Sequence, residues 1–215
     1  QARLLFANLS QADLTEADLA RADLANATLN DAILARATLT EATLQGVDAV
    51  GADCRQADFT QARLVVADFS SADLSQARLV RARLSRAHLG GADLVDAVAA
   101  HADLSDANAD LADFSRADLS HAFLQRASLL EANLTWANLR EANLSEAILL
   151  RANLTSADCS RAILRGAQFG PAVLRDTNFT HASLRDSDLP DEAWPWIVLI
   201  ETTMPDGTIY TDANC

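Results

Sequence analysis

Apolar residues recur along this chain at alternating spacings of two and three residues. An Ala and a Leu repeat in this way from Ala2 to Leu189 without an insertion or deletion. The register gives 38 consecutive pentapeptides, of which 35 begin with Ala and 28 carry Leu at the third position. A helix turns by about 100° per residue, so a five-residue period would scatter its leucines around the axis. A continuous strand fails as well, because an odd period sends successive leucines to opposite faces.

The spacing predicts a coil instead. A short extended Ala-x-Leu piece places both apolar side chains on one side of the chain, and a two-residue corner then turns the chain so that this side keeps facing inward. Coils that turn one way and stack can hydrogen-bond to one another as a parallel β-solenoid. The pattern therefore predicts an all-β repeat fold with inward Ala and Leu.

Ten pentapeptides replace the third-position Leu, and small and large substitutes occur together. Ala49 and Cys54 precede Phe59, and Ala109 precedes Phe114. This grouping predicts volume compensation inside a close-packed core. Ala99 and Ala109 remove two leucines within three repeats, so we expect a cavity there or a bulge that turns Leu111 inward. The full set of substitutes is Ala49, Cys54, Phe59, Phe69, Ala99, Ala109, Phe114, Cys159, Phe169 and Phe179.

The repeat stops at Pro190, and residues 191–215 predict a C-terminal capping tail. A helical turn at 191–194 is followed by two strands, 197–203 and 208–211, around a Met-Pro-Asp-Gly turn. Because an open solenoid end exposes leucines and strand edges, we expect a tail tryptophan to be buried against the last coil. The candidates are Trp194 or Trp196 against Leu174, Leu184 or Leu189.

At the other end Ala2 is already in register, so we expect a signal segment or further coils to have been removed.

Composition and charge exclude several classes of protein. The net charge is −13, which argues against direct binding of nucleic acid. All 17 basic residues are Arg, which excludes Schiff-base and P-loop lysine chemistry. No apolar run approaches the length of a membrane span. Cys54 and Cys159 are inward and roughly five coils apart, too far for a disulfide, and Cys215 lies in the tail.

The motif Ala-(Asp/Asn)-Leu-x-x resembles that of the pentapeptide repeat proteins over residues 2–191. The Met204–Gly207 turn resembles the ending of cyanobacterial members. The resemblance implies a right-handed quadrilateral parallel β-helix with four pentapeptides per coil. Thirty-eight repeats would then form about 9.5 coils at residues 1–190, a rod about 45 Å long, followed by the tail at 191–215.

Outward residues twenty apart should stack into ladders, and three ladders are candidates for function. An acidic ladder could recruit a cation or simply bond the backbone at the corners: Asp53, Asp73, Asp93 and Asp113. A row of His101, His121 and Glu141 is a conceivable metal set or an exposed polar row. An apolar group predicts a partner surface, with a solvated irregularity or packing under the tail as alternatives: Leu111, Leu130, Ile148 and Leu150.

These features favour a non-enzymatic rigid scaffold for an unknown protein partner, without a cofactor or a metal. The alternative is a DNA mimic that binds DNA gyrase, as quinolone-resistance members of the family do. A duplex about 45 Å long carries roughly 27 negative charges, well above the net charge of this chain. A basic cluster also opposes mimicry: Arg63, Arg78, Arg81, Arg83 and Arg86. The oligomeric state stays open, and the compartment is the cytoplasm, or the periplasm or thylakoid lumen if a signal segment was removed.

Overall fold

The chain winds as a four-sided parallel β-helix in which residues twenty apart lie on adjacent coils. The computed structural model describes residues 2–211. Parallel bridges join Arg3 to Asp23, Asp23 to Thr43, and so on to Ile163 and Ser183. We name the four sides by their inward centres: side I from Leu4 to Leu184, side II from Leu9 to Leu189, side III from Leu14 to Leu174, and side IV from Leu19 to Phe179.

The pentapeptides at residues 2–166 each contribute one bridged residue and one tight turn. In the repeat that starts at Ala22, the Leu24 N–H donates to Thr43 O on the next coil at 2.8 Å. The corner is closed by the Ala27 N–H, which donates to Leu24 O at 2.9 Å. The fifth residue, here Asn26 with φ 55°, adopts the left-handed conformation that a type II turn requires. Because the chain turns after three extended residues, only the middle one pairs on both sides, and no long strands form.

The second-position Asp or Asn completes the backbone hydrogen bonding of the repeat. Four of the five N–H groups bond to backbone carbonyls, which leaves the N–H of the fourth residue. In the repeat of Asp73, the carboxylate Oδ1 accepts that hydrogen bond from Ser75 at 2.9 Å. The same Asx turn recurs at Asn8, Asp118 and Asn153. The motif therefore carries Asp or Asn because its side chain satisfies an otherwise orphaned donor.

The inward side chains form one continuous core. Centres from Leu24 to Phe169 are at most 2% exposed, and the first-position alanines beside them are equally buried. The rings of Phe59 and Phe69 meet edge to face, with centroids 5.8 Å apart. Phe169 and Phe179 repeat this arrangement at 6.1 Å.

The predicted backbone bulge near Ala109 is wrong, whereas the alternative, a cavity there, stays a prediction. Ala99 and Ala109 keep the regular hydrogen bonds to the next coil, at 2.7 and 2.8 Å. Leu111 is 64% exposed rather than turned inward. Its position is the fifth of the repeat, where the turn fixes the side chain outward, so the loss of two leucines does not override the corner.

The C-terminal segment begins with a 3₁₀ helix, Asp191–Trp196, and contains a two-stranded antiparallel sheet. Strand β1 is Thr202–Thr203 and strand β2 is Ile209–Tyr210. After the helix the chain returns to the solenoid register, because Val198 bridges Asn178 and Thr203 bridges Ser183. The division of the chain into residues 1–190 and 191–215 stays a prediction. Gln1 and residues 212–215, which include Cys215, lie outside the described residues.

The expected burial of a tail tryptophan is wrong. Trp194 is 44% exposed and Trp196 is 60% exposed. Leu199 and Met204 are buried instead, exactly one coil period after Phe179 and Leu184. Since the segment re-enters the twenty-residue register, the buried residues are those that fall on inward positions. Trp196 lines an open groove together with Leu174 and stays largely exposed.

Candidate interaction surfaces

The basic cluster lies on side I and at its two corners. Arg63 and Arg83 occupy second positions on adjacent coils and are bridge partners. Arg81 and Arg86 are exposed fifth-position residues at the corners before and after Arg83. No carboxylate oxygen within residues 2–211 lies within 4 Å of any of these four guanidinium groups. Arg78, on side IV, differs because its Nε lies 3.8 Å from Asp58.

The four residues of the predicted apolar surface all lie on side II, across three coils. Leu111 is highly exposed, whereas Leu130, Ile148 and Leu150 are half-buried. A Cβ at Gly170 would approach the Leu150 Cδ2 to 2.5 Å, so the Leu150 side chain lies over this glycine on the next coil. The structure thus places the four residues together, and their role as a partner surface stays a prediction.

The acidic ladder on side III is stacked as expected, with bridges from Asp53 to Asp73, Asp93 and Asp113 in turn. Each carboxylate accepts a hydrogen bond from the N–H two residues later. The Arg55 Nη2 lies 2.6 Å from Asp53 Oδ2, and this hydrogen-bonded partner lowers the pKa of Asp53. The Asn133 amide donates to Asp113 at 3.1 Å. Backbone and side-chain donors therefore hold these carboxylates along the ladder.

The histidine row follows the corner between sides IV and I. The His101 and His121 rings are stacked with centroids 4.6 Å apart and planes within 6°. His121 Nδ1 lies 3.4 Å from Glu141 Oε2. Because the lone pair of an imidazole nitrogen lies in the ring plane, two parallel stacked rings do not direct their lone pairs at one ion. Within residues 2–211 no group of His, Cys, Asp and Glu has the arrangement of a metal site.

Neighbouring coils are also joined by exposed ion pairs between fifth-position residues. Arg116 donates twice to Asp96, at 2.7 and 2.8 Å, and Arg126 does the same with Asp106. The hydrogen bonds from these arginines lower the pKa of Asp96 and of Asp106. Such exposed pairs contribute little stability individually, but they fix the outward side chains in register.

The core cysteines offer no reactive thiol. Cys54 and Cys159 are fully buried and are not in a disulfide. Burial raises the pKa of both thiols, which keeps them protonated and poorly nucleophilic. Within the described residues no helix is long and apolar enough to span a membrane.

Two exposed aromatic residues were not singled out from the sequence. Trp136 is 67% exposed at a fifth position, and Phe123 is 48% exposed at a second position. Both could have been found by the rule that outward positions of this repeat are normally polar. Large aromatic residues that remain exposed are frequent anchors of protein interfaces.

The comparisons with known proteins agree with the architecture. The sequence matches the family of pentapeptide repeats, in eight copies, at residues 2–40, 37–76, 77–116, 112–149, 132–170 and 152–190. Comparison with curated proteins finds no match.

Solved structures of repeat proteins are also similar. HetL, a pentapeptide repeat protein involved in heterocyst differentiation regulation from the cyanobacterium Nostoc sp. strain PCC 7120, is 35% identical, with 97% of this chain and 92% of HetL covered and a TM-score of 0.65. A pentapeptide repeat protein of the Arabidopsis thaliana thylakoid lumen is 29% identical over 48% of this chain and 65% of that protein, with a TM-score of 0.33. QnrB1, a plasmid-mediated fluoroquinolone resistance protein, is 22% identical over 90% of this chain and 92% of QnrB1, with a TM-score of 0.41. The similarity to HetL implies that the coil is a right-handed quadrilateral β-helix.

Proposed function

Because the chain belongs to the pentapeptide repeat family, we propose that it is a non-enzymatic rigid scaffold that binds a protein partner through its outward side chains. HetL, its relative, is involved in regulating a differentiation process. A regulatory protein interaction is the corresponding role for this chain.

The solid core is the observation that carries this proposal. The inward centres from Leu24 to Phe169 are almost completely buried. The gap among Phe59, Phe69 and the neighbouring leucines does not admit a water molecule. A substrate therefore has no site inside the coils, and chemistry is left to the outward positions. Since these positions vary from repeat to repeat while the inward ones do not, specificity belongs to the outer faces.

Two outward groups have different parts in this proposal. Leu111, Leu130, Ile148 and Leu150 form a candidate docking surface on side II, supported by their grouping on consecutive coils. The acidic ladder of Asp53, Asp73, Asp93 and Asp113 has a structural part, supported by the Asx hydrogen bonds that each carboxylate accepts.

The rod extends over about 9.5 coils and ends in a cap formed by the C-terminal segment. The bridges at twenty-residue spacing support this count. The burial of two side chains, Leu199 and Met204, and one hydrogen bond, from the Thr202 hydroxyl to Phe179 O at 2.7 Å, support the cap. The compartment in which this rod works is the cytoplasm, or the periplasm or thylakoid lumen after removal of a signal segment.

The second candidate function is that of a DNA mimic that binds DNA gyrase, and the positive charge of the arginine cluster on side I argues against it. Four arginines there pair with no carboxylate among residues 2–211, and they would face the positively charged surface with which a topoisomerase holds DNA. The net charge of −13 also falls short of the roughly 27 charges on a duplex of the same length.

Affinity capture from the source cells on the purified rod tests the proposal. We expect a specific protein that is retained at physiological salt and binds the rod directly when it is purified. A gyrase supercoiling assay with added rod runs in parallel. Inhibition of gyrase at stoichiometric concentrations would favour the DNA mimic, and turnover of a metabolite by the rod itself would contradict a non-enzymatic role.

A further inference from the structure

On adjacent coils of side I, Arg63 and Arg83 occupy second positions, where 21 of the 38 pentapeptides carry Asp or Asn. Arg63 and Arg83 cannot accept the hydrogen bond that closes the Asx turn, so the N–H groups of Val65 and Ser85 have no side-chain acceptor among residues 2–211. One coil further on, Asp103 restores the turn and accepts from the Ser105 N–H at 3.1 Å. The two arginines therefore replace a stabilising residue twice in succession.

The same substitutions also bring like charges together. Arg63 and Arg83 are bridge partners on adjacent coils, about 4.8 Å apart along the rod, and Arg81 and Arg86 flank the upper one. The next residue of the row, Asp103, is bonded to the Ser105 hydroxyl at 2.5 Å rather than to Arg83. The cluster lacks two stabilising hydrogen bonds and brings positive charges close together. Such departures from the residues that stabilise a fold are found at functional sites.

A groove beside the cluster adds an apolar contact. It has a volume of about 550 Å³, and its lining includes three arginines, Arg81, Arg83 and Arg126, together with Asp103 and Phe123. Phe123 continues the row of Arg63, Arg83 and Asp103 and is half exposed. The groove thus offers cations at one end and an aromatic ring at the other, with Asp103 between them in the row.

We propose that this side I groove binds an extended acidic segment of a partner protein. Aspartate or glutamate side chains of the segment pair with Arg63, Arg81, Arg83 and Arg86, and a following apolar side chain packs on Phe123. The row from Arg63 to Phe123 covers three coil steps, about 14 Å, which four or five extended residues span. This inference rests on the proposed scaffold function and names the chemistry of its partner.

A protein segment suits the groove better than nucleic acid. The cluster is short, whereas the whole chain is acidic, with a net charge of −13. A duplex lying along the rod would extend beyond the cluster to acidic residues of other coils, whereas a peptide of four or five residues along the row from Arg63 to Phe123 would meet one carboxylate of that row, Asp103. The exposed Phe123 side chain can also pack against an apolar residue of a peptide, whereas the phosphate groups of a nucleic acid would gain nothing from an apolar ring.

The test uses a phage-displayed library of random short peptides, selected on the intact immobilised rod. The comparison variant combines Arg63→Asn and Arg83→Asn, which restores the motif at both positions. The matched control combines Arg161→Gln and Arg165→Gln, two exposed arginines that pair with Glu141 and Asp186 elsewhere on the rod. Selected peptides are then synthesised with a fluorescent label, and their affinities are measured by anisotropy beside a labelled DNA duplex.

We expect the selected peptides to carry two or more acidic residues followed by an apolar one. Their affinity should fall at least tenfold for the Arg63→Asn/Arg83→Asn variant and less than twofold for the control, while the melting temperature of the former rises. Failure to select acidic peptides, equal binding to both variants, or tighter binding of the duplex would overturn the proposal. If the Arg63→Asn/Arg83→Asn variant binds the peptides as tightly as the wild type and still captures the cellular partner, the groove is not the binding site, and the proposed scaffold function is unaffected.

Discussion

Phe59 and Phe69 meet edge to face inside the core, with ring centroids 5.8 Å apart and planes at 82°. They come from opposite sides of the coil, IV and II, and both adjoin the small Ala49. Phe59 lies across the coil from Ala49, and Phe69 lies directly on the next coil. Cys159, Phe169 and Phe179 repeat this spacing of ten and twenty residues. A small centre is thus matched by two aromatic rings in the same way at two places along the rod.

This packing predicts strong coupling between Ala49 and Phe59. Ala49→Leu should overfill the coil and lower the free energy of unfolding by about 1–3 kcal/mol. Phe59→Leu should lower it by about 1–2 kcal/mol because it leaves space unfilled. The double variant should recover at least about 1 kcal/mol of the summed loss in urea unfolding. Ala49→Leu combined with the distant Phe169→Leu is the control, and equal additivity in both pairs would refute volume compensation.

The second-position carboxylates should act as hydrogen-bond acceptors and not as cation ligands. Asp73→Ala removes the acceptor of the Ser75 N–H and should lower the free energy of unfolding by about 1 kcal/mol. Asp73→Asn keeps an acceptor and relieves repulsion from Asp53 and Asp93, so its stability should equal or exceed that of the wild type. Thermal melts with and without a chelator provide the measurement. A loss with Asp73→Asn as large as with Asp73→Ala would favour a cation on the ladder.

The Asp96–Arg116 pair should make stability depend on pH at the acid end. The hydrogen bond from Arg116 lowers the pKa of Asp96 below its ordinary value of 3.8. A carboxyl whose pKa is lower in the folded state stabilises the fold above its unfolded-state pKa, and this contribution is lost as the pH falls through the folded-state pKa. The melting temperature of Asp96→Asn should therefore lie below that of the wild type at neutral pH and meet it as the pH drops below 3.8. A difference that persists unchanged in acid would show that the carboxylate is not responsible.

The cap should depend on Met204 and not on the tryptophans. Met204→Ala should lower the melting temperature because the side chain is 4% exposed and lies one coil beyond Leu184. Trp196→Ala, at 60% exposure, is the matched control and should have little effect. Deletion of residues 197–215 should add end-to-end association, visible by size-exclusion chromatography, because it bares the edge of the last coil. A monomeric deletion variant with an unchanged melting temperature would argue that the segment is no cap.

The repeat could be predicted from sequence because one rule for the inward positions and one rule for the corners hold in most pentapeptides. Leu at the third position and Ala at the first determine the inward side without reference to distant residues. The C-terminal segment could not be predicted in the same way, since its inward residues, Leu199 and Met204, follow no visible motif. Its register becomes apparent only through the bridges from Val198 and Thr203 to the preceding coil.

The candidate surfaces were predictable in position but not in pairing. Twenty-residue spacing located Arg63 and Arg83 on one side, as well as Leu130 and Leu150 on the next. Whether an arginine pairs with a carboxylate depends on how far the two side chains reach across the coils. The pairing of Arg78 with Asp58, and the lack of a partner for Arg83 among residues 2–211, could therefore be seen only in the structure. The same holds for Leu111, whose outward direction is set by the turn at its positive φ of 61°.

Capture of the cellular partner by side-specific variants tests the scaffold account most directly. Four variants are needed, each with the outward second-, fourth- and fifth-position residues of one side replaced by Asn, Ser and Asn while every inward residue is kept. We expect all four to melt as cooperatively as the wild type, and capture to be lost for one side or for two adjacent sides. Equal capture by all four folded variants would contradict the claim that the outer faces of this rod carry its function.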